Sequence, residues 1–391
     1  MTDSTRIDAL LSAAVGRREI PGVVAMATNE RGLLYEGAFG VRKLPSGAAM
    51  TPDTVFRIAS MTKAITSTAA LQLVEQGKLA LDAPVPDIDP ALSAPQVLDG
   101  FTAAGEPILR PARRAITLRH LLTHTAGFSY EAWDPNTLRY NAVTGMPQPA
   151  SGLRAALRQP LAFDPGERWE YGINIDWVGR LVEEVSGEPL DRYMRRHIFD
   201  PLGMADTGFR PSSEQRARQA VIHQRAADGG LAAQPFEELF IPEFWAGGGG
   251  LYSTAGDYIA FLQMLLHRGR HNGAEVLRPD TVALLGENQI GSLQAGIMKT
   301  TTPARSNDVD FFPGAAARWG LATLLNVEPG PNGRSPNSLT WAGLFNTYYW
   351  LDPVRRVAGV ILTQILPFAD HRAVALYGEF ERAVCDLADS R

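Results

Sequence analysis

Three separated positions combine the residue types needed to cleave or transfer an acyl group. The stretch RIASMTKAITSTAALQLVEQGKL (57–79) sets Ser60 and Lys63 three apart at the head of a long apolar helical pattern, in a chain with few lysines. Residues three apart on a helix share a face, so both side chains can enter one cleft. A serine hydroxyl is a weak nucleophile until a base takes its proton. Lysine is a base only when neutral, and burial lowers its pKa by desolvation, in the same direction as the positive end of the helix dipole. The first-turn N–H groups add an oxyanion donor beside the hydroxyl. An N-capping serine followed by a snorkelling surface lysine has the same spacing.

Two further stretches favour chemistry. In PGERWEYGINIDWVG (165–179), Tyr171 follows a Pro–Gly turn and precedes a helix. A phenol beside an ammonium is held nearer to phenolate, so Tyr171 is a candidate general base on Ser60 and later an acid for the leaving group. Trp341, Ala342 and Gly343 lie in an expected strand. The small Ala–Gly step lets a substrate lie against the strand edge, and the Leu344 N–H is a candidate second oxyanion donor. Tyr130, Trp341, Phe345 and Tyr348 are candidates to line an aromatic acyl pocket.

The elements that must position these residues can be read coarsely. A first amphipathic helix carries Ile7, Leu10, Leu11 and Val15. GVVAMATNERGLLYEGAFGV (22–41) reads as two strands about a polar turn at Asn29–Gly32. The 57–79 stretch is apolar over most of its circumference, which places that helix in the middle of the fold, and Gly77 stops it. Helical patterns follow at 116–127, 151–161, 175–187 and 191–199. After GGGGLYST and a helix over DYIAFLQMLLHRG come a strand over 337–352, an Asp352–Pro353 turn, a strand over 356–365 and a closing helix from about 371. The two strands and closing helix fit the edge of an antiparallel sheet. The expected architecture is α+β: residues 1–79 and 240–391 form a subdomain with an antiparallel sheet flanked by helices, and residues 80–239 form a mostly helical subdomain carrying Tyr171.

SMTK, EYGIN and TWAGLFNTYYWLDP, in that order, resemble the serine hydrolases with a class C β-lactamase fold, and within them the family VIII carboxylesterases. IPGVV, LRHLLTHTAG, DPLGM and GGGGLYSTAGD are similar to the shared framework of that family, so the resemblance runs from about residue 21 to 368. It implies that Ser60, Lys63 and Tyr171 form the catalytic group. ILRPARRAITLRHLLTHTAGFSY and YGINIDWVGRLVE also resemble fungal acyltransferases of this fold that move a short acyl group onto a polyketide alcohol. The penicillin-recognising enzymes carry Lys–Thr–Gly on the last motif strand. Trp341 stands here in place of that lysine, which suits a neutral ester better than an anionic β-lactam. The Tyr–x–Asn motif is also altered, because Asn174 comes one position late. The expected function is a serine carboxylesterase acting on short-chain esters through a Ser60 acyl-enzyme. The alternatives are an acyltransferase with an alcohol acceptor, a β-lactamase or D-peptidase, and a non-catalytic binding protein.

Other motifs carry less. Glu170 and Asn174 spell a Glu–x–x–x–Asn motif, but Tyr171 is the better reading. Lys299–Thr300–Thr301 imitates Lys–Thr–Gly without the glycine and reads as loop. His120/His124 and His267/His271 lack the Glu of HExxH and read as helix-surface or capping residues, so no metal is expected. Gly–x–Ser–x–Gly does not occur, which argues against an α/β-hydrolase elbow. Gly247–Gly250 reads as a flexible turn bordering the cleft, not a phosphate loop. Cys385 reads as a packed small residue.

The 391 residues carry a formal charge of −5 with no Lys/Arg-rich run, which argues against a nucleic-acid partner. The N-terminal stretch has no signal-peptide pattern, no apolar run has transmembrane length, and with a single cysteine no internal disulfide can form. The expectations are a cytoplasmic protein with no membrane span, no cofactor and a small-molecule ester as partner. A homo-oligomer is left open.

Overall fold

The computed structural model describes residues 3–236 and 239–389. The principal elements in chain order are helix α1 (Asp3–Gly16), strands β1 (Gly22–Asn29) and β2 (Gly32–Gly40), helices α2 (Thr62–Glu75), α3 (Asn174–Ser186) and α4 (Ala255–Leu266), strands β3 (Ala317–Trp319), β4 (Leu324–Asn326), β5 (Leu339–Gly343), β6 (Thr347–Asp352) and β7 (Val357–Leu362), and helix α5 (His371–Asp389). The seven strands form one sheet in the order β3-β4-β5-β6-β7-β1-β2. Every neighbouring pair is antiparallel. This is the expected α+β fold with helices flanking an antiparallel sheet.

Side chains alternate across a strand, so each strand of a sheet covered on both faces is apolar throughout. β5, β6 and β7 are buried at every position. On one face Trp350 meets Tyr377 and Phe380 of α5 at ring separations of 5.9 and 5.5 Å. On the other, Tyr349 meets Tyr258 of α4 at 5.1 Å. α1 packs on α5 and β2, burying Ile7 and Leu11.

α2 runs through the interior. Residues Thr62 to Leu73 are all buried, as its all-round apolar surface predicts. It ends where Gly77 takes a left-handed φ of 69°, with the Gly77 N–H bonded to Val74 O at 2.9 Å.

Several expectations need correction. The stretch 337–352 is not one strand but the β5–β6 hairpin, turning at Leu344–Asn346 where Asn346 has a φ of 59°. The hairpin is central rather than at an edge, because β7 pairs onward with β1. The helix expected over 151–161 is two short 3₁₀ turns, Pro149–Ser151 and Arg154–Leu157. Pro160 cannot extend a helix, and Leu161 instead hydrogen-bonds along the strand Gln96–Phe101, with Leu161 N donating to Gln96 O at 2.8 Å. The 116–127 helix is confined to Leu118–Leu122, where Thr117 and His120 make a capping box. The 191–199 helix passes from α into a π turn at Arg195. No helix among the described residues is long and apolar enough to cross a membrane.

One buried ion pair ties α5 to the loop before β5. Arg334 Nε donates to Glu381 Oε1 at 2.7 Å and Arg334 Nη2 to the Tyr377 hydroxyl at 2.9 Å. Removing one partner strands a buried charge, so Glu381→Leu is expected to destabilise the fold by about 3–5 kcal/mol. Urea denaturation read by tryptophan fluorescence measures the loss, and a change under 1 kcal/mol contradicts the assignment.

Candidate active site

Ser60 sits in the 3₁₀ turn Ala59–Met61 that leads into α2. The residue before it, Ala59, has a φ of 44°, a left-handed conformation rare for a side-chain-bearing residue. Two contacts hold it there. The Thr62 hydroxyl donates to Ala59 O at 2.6 Å, and the strand end at Gly343 presses on Ile58. A Cβ added at Gly343 would stand 2.2 Å from Ile58 O, so only glycine lets β5 come this close. The backbone N–H groups of Ser60 and Leu344 donate to no acceptor among the described residues.

Lys63 is wholly buried, and its Nζ has three polar neighbours: Ser60 Oγ at 3.2 Å, the Tyr130 hydroxyl at 3.3 Å and Gly248 O at 2.6 Å. Burial pulls its pKa down to about 7, and the carboxylate of Asp176 on α3 resists that fall. A neutral amine has two hydrogens and one lone pair, which matches two acceptors and one hydroxyl donor. With Gly248 O and Tyr130 accepting, the lone pair is left for the Ser60 proton.

Tyr171 is hydrogen-bonded to Ser60 and accepts from the Trp341 indole Nε1–H at 3.0 Å. The expected phenolate character is not found. Burial raises the Tyr171 pKa, and its hydrogen bonds with Ser60 and Trp341 offset this only in part. The amine lies over the face of the Tyr171 ring, 4.7 Å from its centroid, rather than at its oxygen. Lys63 is therefore the group that burial brings near neutrality, and Tyr171 is a phenol that burial keeps protonated, within reach of Ser60 Oγ. Tyr130, expected in the acyl pocket, has its hydroxyl on the amine instead.

Rings enclose this group. Around Tyr171 stand Trp133 at 5.4 Å, Tyr130 at 5.4 Å, His124 at 4.8 Å and Trp341 at 4.8 Å between centroids, and Phe311 lies 5.2 Å from Trp341. Trp133 and Phe311 are partly exposed. Ser60, Lys63, Tyr171, Tyr130, Trp341, Gly343 and the Leu344 N–H thus converge. Phe345 does not join the ring cluster; it packs at the hairpin turn beneath the Arg57 guanidinium, 4.9 Å away. Tyr348 is on the wrong face. It pairs with Ala342, the neighbour of Trp341, so alternation turns it to α5, where it stacks on Tyr377 at 4.6 Å and donates to Asn346 Oδ1 at 2.7 Å.

His124 is not the surface or capping residue expected. Its φ of 57° follows the short helix and turns the ring into the core. There Nδ1 lies 2.9 Å from Asn174 Nδ2 and accepts from the Gly172 N–H at 3.4 Å, bracing the backbone on either side of Ile173 just beyond Tyr171. Burial, and then Lys63, hold its pKa well below the usual range. Gly247–Gly250 borders the cleft but is laced to α2, through Thr66 Oγ1 to Gly247 O at 2.6 Å and Leu251 N to Thr62 Oγ1 at 3.2 Å. Glu170 is pushed up to about 7, by burial and then by Asp134. Lys299 lies in an exposed loop with Asp308, at 2.9 Å. Cys385 is buried and unpaired.

Asp176 was not singled out by type and spacing, whereas His124 and Gly248 were noted but given no part in the site. An aspartate inside the apolar run INIDWVGRLV was the available signal for the first.

The Beta-lactamase family matches residues 7–383, and the chain belongs to that family. Among its relatives, the lovastatin esterase of Penicillium rubens is 33% identical, with the match covering 92% of this chain and 93% of that protein. The monacolin J acid methylbutanoyltransferase of Aspergillus terreus is 35% identical over 95% of this chain and 93% of its own. The unliganded structure of simvastatin synthase from Aspergillus terreus superposes with a TM-score of 0.84 at 32% identity, covering 98% of both chains.

Replacing Trp341 by Phe keeps the ring but deletes the N–H that supports the buried phenol. A net loss of about 1–1.5 kcal/mol is expected, or about a tenfold slower acylation of Ser60 by an activated ester. Stopped-flow acylation rates of the two proteins make the comparison, and equal rates refute the role given to the indole.

Proposed function

We propose that the protein is a serine carboxylesterase that cleaves short-chain acyl esters through an acyl-enzyme on Ser60. One observation carries this reading: a buried amine with a pKa of about 7 lies 3.2 Å from a serine hydroxyl. Ser60 Oγ attacks the ester carbonyl as its proton passes to the Lys63 lone pair. The Ser60 and Leu344 N–H groups receive the oxyanion. Tyr171 and its indole donor steady Ser60 Oγ as charge builds there. The leaving alkoxide recovers the proton from Lys63 by way of Tyr130, whose hydroxyl bridges to the amine. Water then attacks the acyl carbon as its proton passes to Lys63, the acyl–Oγ bond breaks to free the acid, and Lys63 returns the proton to Ser60 Oγ.

Transfer to an alcohol is the second reading, favoured by the methylbutanoyltransferase relatives. It uses the same acyl-enzyme with an alcohol in place of water. The partly exposed Trp133 and Phe311 support an apolar acyl or acceptor group at the mouth. Trp341, a neutral donor where penicillin-recognising relatives have a lysine, supports ester over β-lactam substrates. The nearer assignment to the family VIII carboxylesterases is part of this proposal, supported by the SMTK and Tyr171 motifs. So is a site between two subdomains, 1–79 with 240–391 and 80–239, supported by Ser60, Lys63 and Gly248 coming from one set and Tyr130, Tyr171 and Asp176 from the other. A cytoplasmic location is also proposed, supported by the lone buried cysteine.

A fluorophosphonate probe followed by peptide mass spectrometry is expected to mark Ser60, with no adduct in Ser60→Ala. An adduct elsewhere, or none, rejects the proposal. Because Lys63 must be neutral to act, hydrolysis of a p-nitrophenyl ester is expected to rise as pH increases through about 7 and then to hold, since burial keeps Tyr171 protonated. With a secondary alcohol added, product analysis divides the readings: acylated alcohol outrunning free acid selects the transferase.

A further inference from the structure

We infer that Asp176 is a positioning residue for the reaction, which fixes Lys63 through Gly248 and supplies the counter-charge for the proton in transit. This deepens the reading of Ser60 and Lys63 given above and rests on it. The chain of contacts is short. Asp176 Oδ1 accepts from the Gly248 N–H at 2.8 Å, and the Gly248 carbonyl accepts from Lys63 Nζ at 2.6 Å. The carboxylate and the amine share no direct hydrogen bond, because one glycine stands between them. A side chain there is excluded, since a Cβ at Gly248 would stand 2.7 Å from Asp176 Oδ2.

Both ends of the relay are buried, and both belong to helices packed on each other, α2 and α3. The ionisable groups acting on Lys63 or acted on by it are few: Asp176 from α3, His124 from the turn after the Leu118–Leu122 helix, and the hydroxyls of Tyr130 and Tyr171. His124 is held neutral by burial and both tyrosines are held protonated by it. Asp176 is therefore the anion available when the Ser60 proton arrives on the amine. Its own pKa is raised by burial, and Lys63 and the Gly248 N–H counter that rise. An ammonium formed in so dry a place needs an opposite charge nearby, since removing one partner of a buried ion pair leaves an uncompensated charge. The proton moves from Ser60 Oγ to Lys63 Nζ, the Oγ–carbonyl bond forms, and no redox partner is involved.

Asp176→Asn tests this with little change of shape, because its amide oxygen can still accept from Gly248. The acid limb of the pH–rate profile for p-nitrophenyl ester hydrolysis is expected to move down by about one pH unit, as Lys63 loses its counter-charge. The plateau should fall several-fold, because a weaker base takes the proton less readily. A profile that superimposes on the wild type overturns the inference. A thermal-melting cycle of Lys63→Met, Asp176→Asn and the double variant reads the pairing without turnover. The double variant is expected to melt above Asp176→Asn, or to fold where Asp176→Asn does not. Additive losses, or a double variant that also fails to fold, overturn the inference. If the probe leaves Ser60 unmarked while the cycle is non-additive, the proposed function fails and the pairing stands.

Discussion

A primary amine removed from water is hard to keep, and this fold is arranged around one. Desolvation alone would leave Lys63 either protonated and unpaired or neutral and unsatisfied, and both are costly in a dry interior. The structure meets the neutral form with two acceptors and one donor: Gly248 and Tyr130 from two distant parts of the chain, and Ser60 beside the lysine itself. Much of the local architecture follows from that need. α2 must be buried all round to carry the amine inward, the glycine run must lie flat against it, and the segment bearing Tyr130 must fold over the top. Thr62 and Thr66 bond the 247–251 segment and the residue before Ser60 to the same helix, so the segment whose carbonyl faces the amine is held to α2 by two polar side chains one turn apart.

The second organising feature is the set of aromatic rings packed around Tyr171. Trp341 gives Tyr171 an N–H without adding charge. In the proposed reaction the donors point one way, from indole to phenol to serine to the neutral amine, so that no group need become a free anion in an apolar pocket. Aromatic packing does the positioning: Tyr171 touches His124, Tyr130, Trp133 and Trp341, leaving its hydroxyl little choice of direction.

Legibility in the sequence divides by range. Ser60 and Lys63 could be paired because helical spacing is local, and Gly77 and the β1–β2 turn could be found because their signals are local too. The hairpin within 337–352 was hidden, since its turn residues Leu344 and Phe345 are as apolar as the strands and Asn346 alone marks it. The 151–161 segment had helical periodicity but lost to Pro160 and to pairing with a strand more than fifty residues earlier. Tyr348 was misassigned because hydrophobic type does not reveal facing: one residue of register decides between substrate side and helix side. Tyr130, Asp176 and Gly248 meet Lys63 only through tertiary contact, which no spacing rule encodes.

The indole at Trp341 also bears on what happens after bond cleavage. Hydrolysis leaves a carboxylate in the pocket, and a fixed ammonium on β5 would hold that anion in place. Here the wall at Trp341 is an uncharged indole, and the Lys63 amine is already linked to the Asp176 carboxylate through Gly248. An indole gives the acid no ion pair at this point of β5, so weak product inhibition is the expected consequence of the uncharged wall.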